Sequence, residues 1–147
     1  MRGISRCFFD TNVIVYAHDD SEPKKRDRAR ELLGSAVQDG SGVISAQVLS
    51  ETYVTLTKKL GIAAKDVEDE ILQLSEFRVV EISAALVLRA LQIKEEFELS
   101  YWDSLIIAAA EHAGCGTVWS EDLNDGQAYG RVIRKLGLSG NLRSCKS

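Results

Sequence analysis

The chain has 147 residues, 45% of them hydrophobic and 27% charged, with one proline and eleven glycines. That length fits one domain with a core of its own and excludes long disordered linkers. A net charge of −4 and a pI near 5.2 exclude a plain basic nucleic-acid scaffold; the acid excess belongs to a solvated surface or to a site where bound cations reverse the local sign.

Taken in order, Arg6 to Phe9 is short, apolar and aromatic and stops at Asp10-Thr11-Asn12, which predicts a buried strand ending in a turn. Val13 to Tyr16 continues apolar as a short helix or loop. Ser21-Glu22-Pro23 opens a helix, with serine at the cap and proline in the first turn. Ala29, Leu32, Leu33, Ala36 and Val37 form its apolar face, and Gly40 ends it. Val43-Ile44 is a second strand. Ser45 caps a helix running to about Leu60, striped by Leu49, Tyr53, Leu56 and Leu60 and stopped by Gly61. A further helix spans Lys65 to Glu76, Val79 to Ile82 is a third strand, and Ser83 caps a helix from Ala84 to Phe97. Ser100-Tyr101-Trp102-Asp103 has the form of a capping box before the apolar run Leu105 to Ala110, and this buried helix ends near Gly114. Thr117 to Ser120 is a fourth strand, and Glu121 to Gly126 an acidic turn. Arg131 to Leu136 fits either a fifth strand or a helix.

Strands alternating with helices predict a parallel sheet covered on both faces. The expected architecture is therefore α/β: a three-layer α/β/α sandwich around a central, mainly parallel sheet of four to five strands. One domain accounts for residues 1–147, with 137–147 a polar, frayed tail. No signal-peptide apolar region follows Met1 to Arg6, and Leu105 to Ala110 is far short of the ~20 residues a membrane span needs. Cys7, Cys115 and Cys145 are dispersed at neither metal-ligand nor redox spacing, which predicts reduced thiols in a cytoplasmic protein.

In an open parallel sheet, ligands bind beyond the carboxyl ends of the strands. Asp10 follows the first strand, Glu51 lies within two turns of the second, Asp103 opens the buried helix and Asp122 follows the fourth strand. Singly, each has an ordinary role: a turn, a solvated helix face, a capping acid or a solvated loop. Together they are harder to accommodate without a cation. Two carboxylates ~4 Å apart repel by about 4 kcal/mol at an effective dielectric near 20. Oxygen-only ligands suit Mg²⁺ or Mn²⁺ rather than zinc, and such an ion activates water and stabilises charge on a phosphoryl oxygen.

Four segments in order carry a resemblance: Phe8 to Tyr16 with Asp10 and Asn12, Ser50-Glu51, Tyr101 to Ile106 with Asp103, and Ser120 to Gln127 with Asp122. From Arg6 to Gln127 the chain resembles the PIN-domain family of metal-dependent ribonucleases, most closely the toxin branch of VapBC-type toxin–antitoxin pairs. The resemblance implies that Asp10, Glu51, Asp103 and Asp122 hold one or two Mg²⁺ or Mn²⁺ ions. It implies support from Asn12 and Ser120, with Asp125 as an extra acid. The implied reaction is attack by metal-activated water on an RNA phosphodiester, leaving a 5′-phosphate and a 3′-hydroxyl. It further implies a homodimer and a protein antitoxin as partner. After Gln127 the chain departs from the family, lacking the Asn-Pro-Phe ending many relatives have.

RNA also requires positive charge, which Lys24, Lys25, Arg26, Arg28 and Arg30 or Arg131, Arg134 and Lys135 could supply; for the first group a solvated helix face is the simpler reading. Three other readings compete. His18 and His112 would suit metal-free RNA cleavage, but nothing in the sequence brings them together. Asp10 after a strand would suit an aspartyl nucleophile, but Asn12 stands where a second acid belongs. A catalytically inactive RNA-binding or protein-interaction module should have lost an acid, and all four remain.

Overall fold

The structure, a computed structural model, describes residues 5–121, 127–129 and 133–138. The first strand, β1 (Cys7–Phe9), has all three side chains buried. Successive side chains of a strand point to opposite faces, so Phe8 and Phe9, both fully buried, mean that the sheet is covered on each side. β2 (Gly42–Ser45), β3 (Arg78–Val80) and β4 (Thr117–Trp119) run parallel to it.

Among the described residues the sheet has six strands in the order β3-β2-β1-β4-β6-β5. β6 (Ile133–Leu136) pairs parallel with β4, which resolves the strand-or-helix ambiguity in favour of a strand. β5 (Ala128–Tyr129) pairs antiparallel with β6 at the edge. The sandwich is thus as expected, with five parallel strands and one short antiparallel strand that two residues are too few to announce.

The connections are α1 (Thr11–Tyr16), α2 (Pro23–Asp39), α3 (Ala46–Lys58), α4 (Ala64–Leu74), α5 (Ala84–Phe97) and α6 (Tyr101–His112). Ser45, Ser83 and Ser100 cap α3, α5 and α6 through their hydroxyls, each accepting from the N–H three residues on. The cap expected of Ser21 is absent. Its N–H and hydroxyl instead donate to Asp19 Oδ1 at 3.0 and 2.6 Å, and Glu22 precedes Pro23 without a side-chain cap. Gly40 closes α2 in the left-handed region, at φ 71°, a conformation that glycine adopts without steric cost.

Helix α6 supplies the centre of the core: Ser104 to Ala110 are all buried. In α2 the buried face is Ala29, Leu32 and Ala36, while Val37 points to solvent. In α3 the buried stripe is Val48, Thr52 and Leu56; of the expected stripe Leu56 is buried and Leu49 packs against the core, but Tyr53 is 40% exposed. No helix of the described residues is long and apolar enough to cross a membrane.

The thiols differ from expectation in one respect. Cys115 is free and buried, but Cys7 is disulfide-bonded. Sequence spacing does not report which cysteines tertiary structure brings together.

Candidate functional site

The strand order reverses direction of growth at β1: β2 and β3 extend the sheet on one side, β4 on the other. A crevice at the carboxyl ends follows from that reversal, and it is where open α/β sheets bind ligands. Asp10 leaves β1 at this point. Its N–H donates to the Trp119 carbonyl at 3.0 Å, extending the β1–β4 pairing by one bond. Its side chain caps α1. Oδ1 accepts from the Thr11 N–H and Oδ2 from the Ser120 hydroxyl, each at 2.7 Å. Asp10 is 6% exposed and Ser120 is fully buried, so the carboxylate is held in one orientation. Asn12 adds a second tie, its Oδ1 accepting from the Glu121 N–H at 3.3 Å.

Helix α3 forms the next wall. Gln47, Glu51, Thr55 and Lys59 recur at the i+4 spacing that places side chains on one face, and all four line the cleft. Helix α6 completes it with Trp102, Asp103 and Ile106. The cleft, about 420 Å³, is also bordered by Tyr16 and Asp19. Asp10, Asn12, Glu51 and Asp103 therefore meet in one cleft from three separate stretches of chain, with Ser120 behind Asp10. Asp122 and Asp125 lie outside the described residues. Among the described residues, no three His, Cys, Asp or Glu side chains converge tightly enough to hold an ion by themselves.

Residues 7–127 match the PIN domain family. The chain belongs to that family. No curated protein sequence matches it. Three solved structures share the fold. One is a toxin–antitoxin complex from Klebsiella pneumoniae, 20% identical, with a TM-score of 0.67 over 86% of this chain and 94% of that one. A second is VapC20 of Mycobacterium tuberculosis, a toxin that cleaves the sarcin–ricin loop, 23% identical, with a TM-score of 0.62 over 79% and 91%. A third is the DNA-bound VapBC of Salmonella typhimurium, 17% identical, with a TM-score of 0.64 over 91% and 98%. The PIN domain here thus has the fold of VapC-type toxins.

Electrostatics around the PIN cleft are set by short-range pairs. Asp19, bonded by the Ser21 hydroxyl and N–H, has its carboxyl held below the usual carboxylate range. The Lys25 ammonium is held above its ordinary value, first by the Tyr16 hydroxyl at 3.4 Å and then by Glu121. Lys25 Nζ lies 3.4 Å from Glu121 Oε1 without hydrogen-bond alignment, so that contact is an ion pair only. Three more residues of the α2 basic cluster are engaged within the molecule: Arg26 with Asp20 and Asp27, Arg28 with Glu31, and Arg30 with the Ala17 carbonyl. Arg26 and Arg28 thus build local ion pairs on the helix face.

The histidines do not come together. His18 lies 3.3 Å from Glu70 of α4, and His112 lines a separate groove with Arg89 and Glu111. Neither borders the carboxylate cleft. Sequence reasoning missed Gln47, Thr55, Lys59, Asp19 and Trp102 as cleft residues. For the α3 set the signal was present: the same i+4 row that contains Glu51 carries Gln47, Thr55 and Lys59.

Proposed function

We propose that this PIN domain is a divalent-metal-dependent endoribonuclease and serves as the toxin of a toxin–antitoxin pair. The observation that carries the reading is the meeting of Asp10, Glu51 and Asp103 in one cleft at the point where strand order reverses.

The residues fit a hard cation. Their donors are oxygens only, as Mg²⁺ and Mn²⁺ prefer. Asp10 is oriented through both oxygens by Thr11 and Ser120, as carboxylate ligands are by their outer partners. Asp10, Glu51 and Asp103 would hold the ion, and the family resemblance adds Asp122 as a fourth acid and Asp125 as an extra one. When bound, the ion supplies charge for a phosphoryl oxygen and lowers the pKa of water at the scissile bond.

The protein's own residues do the remaining work. Ser120 keeps the Asp10 carboxylate turned toward the cleft. Asn12 ties the start of α1 to the segment after β4, which sets the distance between the two strand ends. Lys59, at the far end of the α3 row, brings a cation to a cleft otherwise rich in acid, and so offers a phosphate contact. The toxin role and the antitoxin partner are supported by likeness of fold to toxin–antitoxin complexes, and the homodimer rests on the family resemblance alone.

The test is cleavage of structured RNA by wild type and Asp10→Asn, with Mg²⁺, with Mn²⁺ and with EDTA. Asparagine retains an acceptor for the Thr11 N–H, and the Ser120 hydroxyl can turn to accept from its amide, so the fold survives and circular dichroism will show it. Cleavage should require metal and fall at least 100-fold in the variant, the order of a lost electrostatic contact to the transition state. Cleavage that survives both EDTA and Asp10→Asn would overturn the assignment. Growth arrest on expression, relieved by Asp10→Asn, would support the toxin role.

A further inference from the structure

Trp102 is 62% exposed, although Ser104 to Ala110, just beyond it in α6, are buried. It stands one residue before Asp103 and lines two depressions. One is the carboxylate cleft; the other is a mainly apolar groove walled by Ile82, Tyr101 and Leu105. Gln47 and Glu51 also line both, so the two share a wall along the start of α3.

One contact bears on the indole and one on the backbone that carries it. Tyr101 meets it edge to face, with ring centroids 5.0 Å apart and planes at 71°. Gln47 Nε2 donates to the Trp102 carbonyl at 3.4 Å, tying the start of α6 to the start of α3. An aromatic side chain held in place before binding loses little conformational freedom when a ligand covers it.

We propose that Trp102 is a stacking platform for an unpaired nucleobase next to the phosphodiester in the carboxylate cleft. This rests on the nuclease reading above and deepens it. A phosphodiester carries a base on either side. With the phosphate at Asp10, Glu51 and Asp103, the neighbouring base has the apolar groove and the indole beside it. A base in a regular duplex is already stacked above and below and has no face to offer; a loop or single strand does. Stacking on an aromatic ring tolerates any base, because every base has a π-face. Trp102 therefore selects for strandedness rather than for sequence.

Fluorescence provides the test. The other tryptophan, Trp119, is wholly buried, so quenching by ligand reports on Trp102. A short single-stranded oligoribonucleotide and its duplex are titrated, with Mg²⁺, into the full chain carrying Asp10→Asn. The single strand should quench and the duplex should not. Adding Trp102→Ala should weaken single-strand binding roughly 5- to 100-fold, and Trp102→Phe should recover most of the loss. Equal binding by the alanine and phenylalanine variants, or equal quenching by the duplex, overturns the proposal. A sedimentation shift from dimer to monomer in Trp102→Ala, with RNA affinity intact, also overturns it and makes the groove a contact between copies of the chain. Cleavage assays separate the two levels. Wild type that cuts RNA, needs Asp10 and is indifferent to Trp102→Ala removes this inference alone. Wild type that neither binds nor cuts RNA removes the nuclease reading and this inference with it.

Discussion

Asp10 shows how much one side chain does when it leaves a strand at a crevice. It accepts two hydrogen bonds of 2.7 Å and caps a helix while only 6% exposed. Its short distance from β1 in sequence made its place readable; its bond to Ser120, 110 residues away, was not. Cys115 is the opposite case, a polar atom with no part in the cleft. Burial pushes its thiol up to about 12, against weaker opposing pulls from Arg6 and Arg78. Between pH 9 and 12 the unfolded chain has lost this proton and the folded chain has kept it, so raising the pH favours unfolding in that window. The contribution is complete below about pH 9. Urea midpoints measured across the window should fall more steeply for wild type than for Cys115→Ala. Thiol-specific labelling at pH 8 should reach Cys115 only after denaturation.

At the scale of elements, α3 carries two faces with different work. Val48, Thr52 and Leu56 pack inward, while Gln47, Glu51, Thr55 and Lys59 line the cleft. Of the expected stripe, Tyr53 misled the sequence reading, because Thr52 serves as a core residue in its stead. Threonine buries its methyl against neighbours, and no hydropathy count credits that. β2 is constrained from another side. A Cβ on Gly42 would lie 2.7 Å from Phe77 Cε1 and 3.2 Å from the Ala36 Cβ. The Phe77 ring stacks on Phe9 with centroids 6.1 Å apart, so it has little room to yield. Gly42→Ala should lower stability by about 1–3 kcal/mol, the usual cost of overpacking, read from denaturant midpoints. Helices α5 and α6 are joined by the two-pronged Arg89–Glu111 pair, at 2.8 and 3.0 Å.

The molecule as a whole is a sheet whose five parallel strands end on one edge, with acids from several connections gathered there. Bringing like charges together costs electrostatic free energy that a bound cation offsets, so metal binding should be visible as stability. At a free ion concentration 100 times Kd, linkage amounts to about 2.7 kcal/mol, or roughly 5–10 °C in Tm for a chain of this size. Wild type should show that rise with Mg²⁺ or Mn²⁺, reversed by EDTA. Asp10→Asn should lose most of it. Equal rises in both proteins would mean that the ion binds elsewhere.

The sequence alone determined the class of fold, the strand and helix order through β4, and the candidates Asp10, Glu51 and Asp103. These are local facts: apolar runs, serine caps and the position of an acid just past a strand follow from neighbours in the chain. Only tertiary structure decided that β6 pairs with β4, that Asp10 bonds Ser120, that α3 turns its Gln47–Lys59 row to the cleft, and that Trp102 stays exposed beside it. Each of those depends on contacts across many residues, whose free energies depend on distance in space and leave no periodic mark along the chain.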